Sequence, residues 1–176
     1  GSASIPHVIR AGAVRMYIML RRAQRLRGVS RGARSRGLNT LAAEASLTGI
    51  ALHSGHESTV RIVPAPAHAG IHFVRVDLSG DTVIQASVRN VTSTVLSTTI
   101  GSGDGAVSVG TIEHLMAALC GMGVGACRVE VSAPELPILD GSAAPWVAAI
   151  RSAGVVAATQ GGSADARPFA SPSSVR

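Results

Sequence analysis

The sequence predicts an α+β domain, with strands gathered ahead of the helices, and not a doubly wound parallel sheet. Period-two apolar segments crowd the stretch before residue 110, and the first strong helical period starts only near residue 111. With 176 residues and 46% hydrophobic content, the chain has enough material for one ordinary core.

The elements are legible in order. Residues 59–63 (Thr-Val-Arg-Ile-Val) alternate like a half-buried strand and stop at Pro64-Ala65-Pro66, which cannot extend a ladder. Residues 71–76 form a second strand, closed by Asp77-Leu78-Ser79-Gly80-Asp81. Strands over 83–88 and 95–100 follow, then the turn Gly101-Ser102-Gly103-Asp104-Gly105 and a short strand over 107–109. A helix opens near Thr111, a reasonable N-cap, with Ile112, Leu115, Met116 and Leu119 at core spacing, and ends at Gly121, Gly123 and Gly125. Residues 127–131 alternate again, and a second helix over 144–153 carries Trp146, Val147 and Ile150 before Gly154 ends it. Cys120 and Cys127 read as small core residues, and Asp140-Gly141-Ser142 as the turn and cap leading into the second helix.

The net charge of +6 is unevenly placed. Residues 1–40 hold nine arginines and no acid, while the rest of the chain sets seven arginines against all ten acids, or −3. The positive charge thus lies in an arm and not on a folded face, so a nucleic-acid-binding domain is not expected. Only Tyr17, Phe73, Trp146 and Phe169 are aromatic, too few for a base-stacking surface. No stretch is long and apolar enough to span a membrane. Within the arm, Met16, Met19, Leu20 and Ala23 recur at helical spacing opposite Arg15, Arg22 and Arg25, as in an organelle presequence; the high Arg content points to the mitochondrion ahead of the plastid. The organisation expected is an Arg-rich presequence or disordered arm over 1–37, a folded unit over 38–156 and a disordered tail over 157–176.

Glu113 and His114 place a proton-transfer carboxylate beside a metal ligand at the start of a helix, pointing about 100° apart so that both can border one cavity. Taken alone, such a pair is more often just a solvated helix face. His53, in Leu52-His53-Ser54-Gly55-His56, sits where Gly55 allows a tight turn. Three imidazoles, His53, His56 and His114, are a conceivable zinc set whose geometry the spacing leaves open.

Together these residues resemble a known family. Thr48-Gly49-Ile50-Ala51-Leu52-His53-Ser54-Gly55, Pro64-Ala65-Pro66 with Gly70-Ile71, Arg75-Val76-Asp77-Leu78, Thr111-Ile112-Glu113-His114-Leu115 and the run from Ala133 through Pro134-Glu135-Leu136-Pro137-Ile138-Leu139-Asp140-Gly141-Ser142 to Pro145 are similar, in that order, to the N-terminal region of UDP-3-O-acyl-N-acetylglucosamine deacetylase. The resemblance implies a two-layer sandwich of a mainly antiparallel sheet with two packed helices, one of two similar domains. It also implies a zinc hydrolase of lipid A biosynthesis that deacetylates a UDP-linked acylated glucosamine. His114 falls on the family's zinc ligand and Glu113 on its general base, and His53 with Val95, Leu96 and Ser97 matches segments bordering the site. The family's remaining zinc ligands belong to a His-Lys-x-x-Asp motif in the second domain, and this sequence has no His after His114 and no Lys. A second domain or chain is therefore expected to supply them; the alternative is a non-catalytic paralogue that binds a partner or a sugar nucleotide.

Overall fold

The computed structural model describes residues 38–80 and 82–159. The expected presequence over 1–37 and the tail beyond residue 159 lie outside the described residues.

Among the described residues, ten strands and two α-helices follow one another: β1 (Asn39–Leu41), β2 (Ala45–Ile50), β3 (Glu57–Pro64), β4 (Ile71–Arg75), β5 (Val83–Gln85), β6 (Val91–Ser93), β7 (Thr99–Gly101), β8 (Ser108–Val109), α1 (Glu113–Gly121), β9 (Cys127–Val131), α2 (Ala144–Ala153) and β10 (Val155–Ala157). The central sheet has the order β2-β3-β9-β4-β5, flanked by a three-stranded sheet β6-β7-β8 and a two-stranded one β1-β10. Every strand pair is antiparallel except β4 with β9. The α+β class expected from the sequence is therefore the class observed.

Alternation builds the core. Ser58, Val60 and Ile62 of β3 point inward, as do Cys127, Val129 and Val131 of β9. Register places Ile62 opposite Val129, Val129 beside Phe73, and Phe73 opposite Ile84, so one apolar row crosses four strands. Onto that layer α1 sets Leu115, Met116 and Leu119, and α2 sets Trp146 and Ile150, all buried in one cluster. Fully burying side chains of this size contributes about 1.5–3 kcal/mol each, which makes this cluster the main support of the fold.

Several expectations move. Residues 95–98 are not strand: β7 begins at Thr99, β6 (Val91–Ser93) is an additional strand, and Leu96 takes a φ of 64° that no ladder accommodates. The strand expected over 83–88 stops at Gln85, where a 3-10 turn over Val88–Asn90 takes over, with Ser87 accepting from Arg89 N–H. Thr111 is not the N-cap of α1, since Ile112 holds that place without a side-chain bond and Thr111 stands outside at φ 56°. Cys127 is buried as expected, but Cys120 is exposed near the end of α1. Four strands escaped the sequence reading: β1, β2, β6 and β10. The last carries the ordered chain past residue 156, where Ala158 N–H bonds Leu38 O and Thr159 O accepts from Ala67 N–H.

Candidate active site

The start of α1 carries two of the predicted residues and is tied by hydrogen bonds to the segments that hold the others. Glu113 and His114, both half-buried, are the first two residues of the helix. Glu113 Oε2 accepts the Thr98 backbone N–H at 3.0 Å, and Ile112 N–H reaches Thr98 O at 3.4 Å. Thr98 ends the Val95-Leu96-Ser97 segment, so that segment is tied to Glu113 by one residue's backbone. Its turn is closed by Ser97 N–H to Val95 O at 2.8 Å, and it leaves Val95 and Leu96 74% and 80% exposed. Solvated leucine at a left-handed φ is doubly unfavourable, and such cost is kept where function holds it.

His53 arrives by a different route. It lies in an exposed turn after β2, in which Ala51 N–H bonds His56 O and Gly55, at φ 69°, bonds back to Ala51 O. The backbone N–H groups of His53 and Ser54 both donate to the carboxylate of Glu135, at 3.1–3.2 Å and 2.8 Å. Glu135 Oε1 also accepts the Thr111 hydroxyl at 2.8 Å, so the His53 turn is connected to the residue two before Glu113. Glu135 is buried, which disfavours its charge, but the bonds from Thr111, His53 and Ser54 outweigh this and hold its carboxyl below the ordinary range.

Asp140 lies near enough to His114 for its carboxyl to feel the imidazole charge. Its carboxyl is held low first by the Ser142 hydroxyl and backbone N–H, and in smaller part by the charge of His114. The Asp140-Gly141-Ser142 turn forms as expected, with Ser142 Oγ accepting Ala144 N–H at the start of α2. Leu96, Thr111 and Leu139 are the non-glycine residues with left-handed φ among those described. Each stands within two residues of Ser97–Thr98, Glu113 or Asp140, so the backbone strain is gathered around this one place.

Sequence reasoning assigned Glu135 no role and read Asp140 most simply as a turn residue, a catalytic Asp being the minority reading. A signal for Glu135 was present: a lone carboxylate in the otherwise apolar run Ala133-Pro134-Glu135-Leu136-Pro137-Ile138, where an unbonded charge would be costly. His68 and His72 lie away from this constellation, on a 3-10 turn and on β4, and burial pushes the His72 imidazole down. Among the described residues no group of three or more His, Cys, Asp or Glu is placed to hold a metal. The three-histidine arrangement is therefore not assembled, and the described residues do not by themselves fit a catalytic zinc, which takes three protein ligands.

The family model described as UDP-3-O-acyl N-acetylglycosamine deacetylase matches residues 38–168. The UDP-3-O-acyl-N-acetylglucosamine deacetylase of Anaeromyxobacter dehalogenans is 53% identical over 116 residues, 66% of this chain and 36% of that protein. Its namesake in Nostoc is 51% identical over 119 residues, 68% of this chain and 42% of that one. The Bifunctional enzyme LpxC/FabZ of Chlorobaculum tepidum is 48% identical over 116 residues, 66% of this chain and 24% of its own length. The chain thus spans about two fifths or less of the relatives it matches. A match over the whole described fold, enclosing the strained start of α1 and the loops tied to it, settles the kinship: the chain belongs to the UDP-3-O-acyl N-acetylglycosamine deacetylase family.

Proposed function

We propose that this chain supplies one part of the active site of a lipid A deacetylase, acting on a UDP-linked, 3-O-acylated N-acetylglucosamine. The observation that carries the reading is the convergence at the start of α1 of two loops from distant parts of the chain, one bonded to Glu113 through Thr98 and one to Thr111 through Glu135. A carboxylate steadied by one backbone N–H keeps lone pairs for a proton, as a general base needs. In this reading Glu113 takes the proton of the water that attacks the acetamide carbonyl, the amide C–N bond breaks as a proton is delivered to the departing nitrogen, and acetate and the free amine of the sugar are the products. Val95, Leu96 and Ser97 border the substrate on one side and the His53 turn on another. His114 would be one ligand of a zinc ion, the remaining ligands coming from outside the described residues.

The test is a chimaera in which this chain is continued by the region that follows the aligned segment in the Anaeromyxobacter relative. Deacetylation of the UDP-sugar that is lost in His114→Ala and Glu113→Gln supports the reading. Turnover indifferent to both substitutions sinks it. The address of the protein is proposed to be mitochondrial, with the plastid as alternative; a fluorescent protein carrying residues 1–37 tests that by where it accumulates.

A further inference from the structure

The segment around Glu135 is held on both sides. Gly110 N–H bonds Pro134 O at 2.9 Å and Leu136 N–H bonds Gly110 O at 3.1 Å, on the approach to α1. Ile138 N–H bonds Ile50 O at 3.0 Å, at the end of β2 where the chain turns toward His53. A Cβ on Gly49 would stand 3.1–3.2 Å from Leu139 and Pro137, so the strap lies tightly against β2. Within it the Glu135 side chain, 5% exposed, fills its oxygens with donors from both flanks: His53 and Ser54 N–H on one, the Thr111 hydroxyl on the other. Neither donor group is in a helix or a sheet ladder that would hold it independently. The strap's backbone bridges Gly110 and Ala51 on the two flanks, and the carboxylate is what joins the donors at His53, Ser54 and Thr111 themselves, with Thr111 at φ 56° where it makes the contact.

We infer that Glu135 is the positioning residue of this site: its carboxylate sets where the His53 turn stands relative to the Glu113–His114 helix start. This rests on the deacetylase reading only in making that start the reacting centre. Glu135 touches no reacting atom; it acts through His53, Ser54 and Thr111. Glutamine is the same size but offers one acceptor oxygen and places an amide N–H against donors, so Glu135→Gln changes the bonding without opening a cavity.

The experiment is amide hydrogen exchange by NMR on the 176-residue chain. In Glu135→Gln, exchange at His53 and Ser54 is expected to rise by at least about 10-fold while β9 keeps its protection, as for a local opening. Unchanged exchange at both amides, or a uniform rise through β3 and β9, overturns the inference, the latter because it marks a general loss of stability. Should Glu135→Gln fail to fold, Thr111→Val and Thr111→Ser decide. Valine removes the hydroxyl at nearly constant shape and is expected to shift the His53 and Ser54 resonances, while serine restores them toward the parent. Identical spectra for the two variants contradict the inference. Because exchange does not depend on turnover, failure here leaves the deacetylase reading standing, and an inert chimaera leaves the exchange result standing.

Discussion

The Thr98 backbone N–H donates to Glu113 Oε2 across 3.0 Å, and this one bond joins the exposed Val95–Ser97 turn to the first residue of α1. Among the described residues the carboxylate makes no other hydrogen bond. It is thus oriented but not saturated. Glutamine can still accept from Thr98 but has no basic oxygen for a proton. Glu113→Gln is therefore expected to keep the thermal midpoint within about 3 °C, a change under about 1 kcal/mol, while deacetylation by the chimaera falls at least ~100-fold. Calorimetry and a rate assay on one preparation check both halves.

Leu96 gives the opposite pairing. At φ 64° and 80% exposed, it bears a left-handed cost of about 1–2 kcal/mol that glycine does not, against the ~0.5–1 kcal/mol glycine loses in entropy. Leu96→Gly is expected to leave stability unchanged or raised by up to about 1 kcal/mol while raising the KM of the chimaera. Denaturant midpoints and steady-state kinetics test this; a clear loss of stability with unaltered kinetics contradicts it.

Ser58 is fully buried on β3, and its Oγ finds no hydrogen-bond partner among the described residues. Replacing it with alanine removes a desolvated hydroxyl and little volume. Ser58→Ala is expected to stabilise by about 1 kcal/mol, read as a higher urea midpoint at unchanged slope.

Arg75 is buried at the end of β4 and holds Asp77 by two bonds of 2.7 and 2.8 Å while donating to Ser108 O on β8, so it ties the central sheet to the smaller one. Those bonds, with the guanidinium charge, hold the Asp77 carboxyl below its usual 3.8. A depressed folded pKa gives stability that is complete above the unfolded value and lost as pH falls through the folded one. Stability should therefore decline with acid below about pH 4, and less steeply in Asp77→Asn, which itself costs about 1–3 kcal/mol near neutrality by leaving Arg75 short of a partner. Urea unfolding across this range decides; parallel slopes in both proteins contradict it.

Much of the fold was legible because its signals are local. The alternation of β3 and β9 and the spacing of Leu115, Met116 and Leu119 follow from burial on one face. What was not legible depends on distant partners. β1 pairs with β10 over a separation no window covers, and residues 95–98 carry strand-like side chains but bend because Thr98 is claimed by Ile112 and Glu113. Thr111 has an N-cap's chemistry and sits beside a helix start, yet its hydroxyl goes to Glu135, 24 residues on. In the site, Glu113, His114 and His53 were singled out by residue type and Val95–Ser97 by motif resemblance; Glu135 stood in a quoted motif without a role, because its bonds lie in contacts between segments.

The most direct measurement is zinc stoichiometry and deacetylation for the 176-residue chain beside the chimaera. The chain alone is expected to hold no stoichiometric zinc and to be inert, because its described residues assemble no three-ligand group, while the chimaera holds one zinc and turns over only with Glu113 and His114 intact. One zinc bound by the chain alone, with turnover that Glu113→Gln abolishes, would contradict the divided site, and a folded chimaera that neither binds zinc nor deacetylates would contradict the assignment of Glu113 and His114.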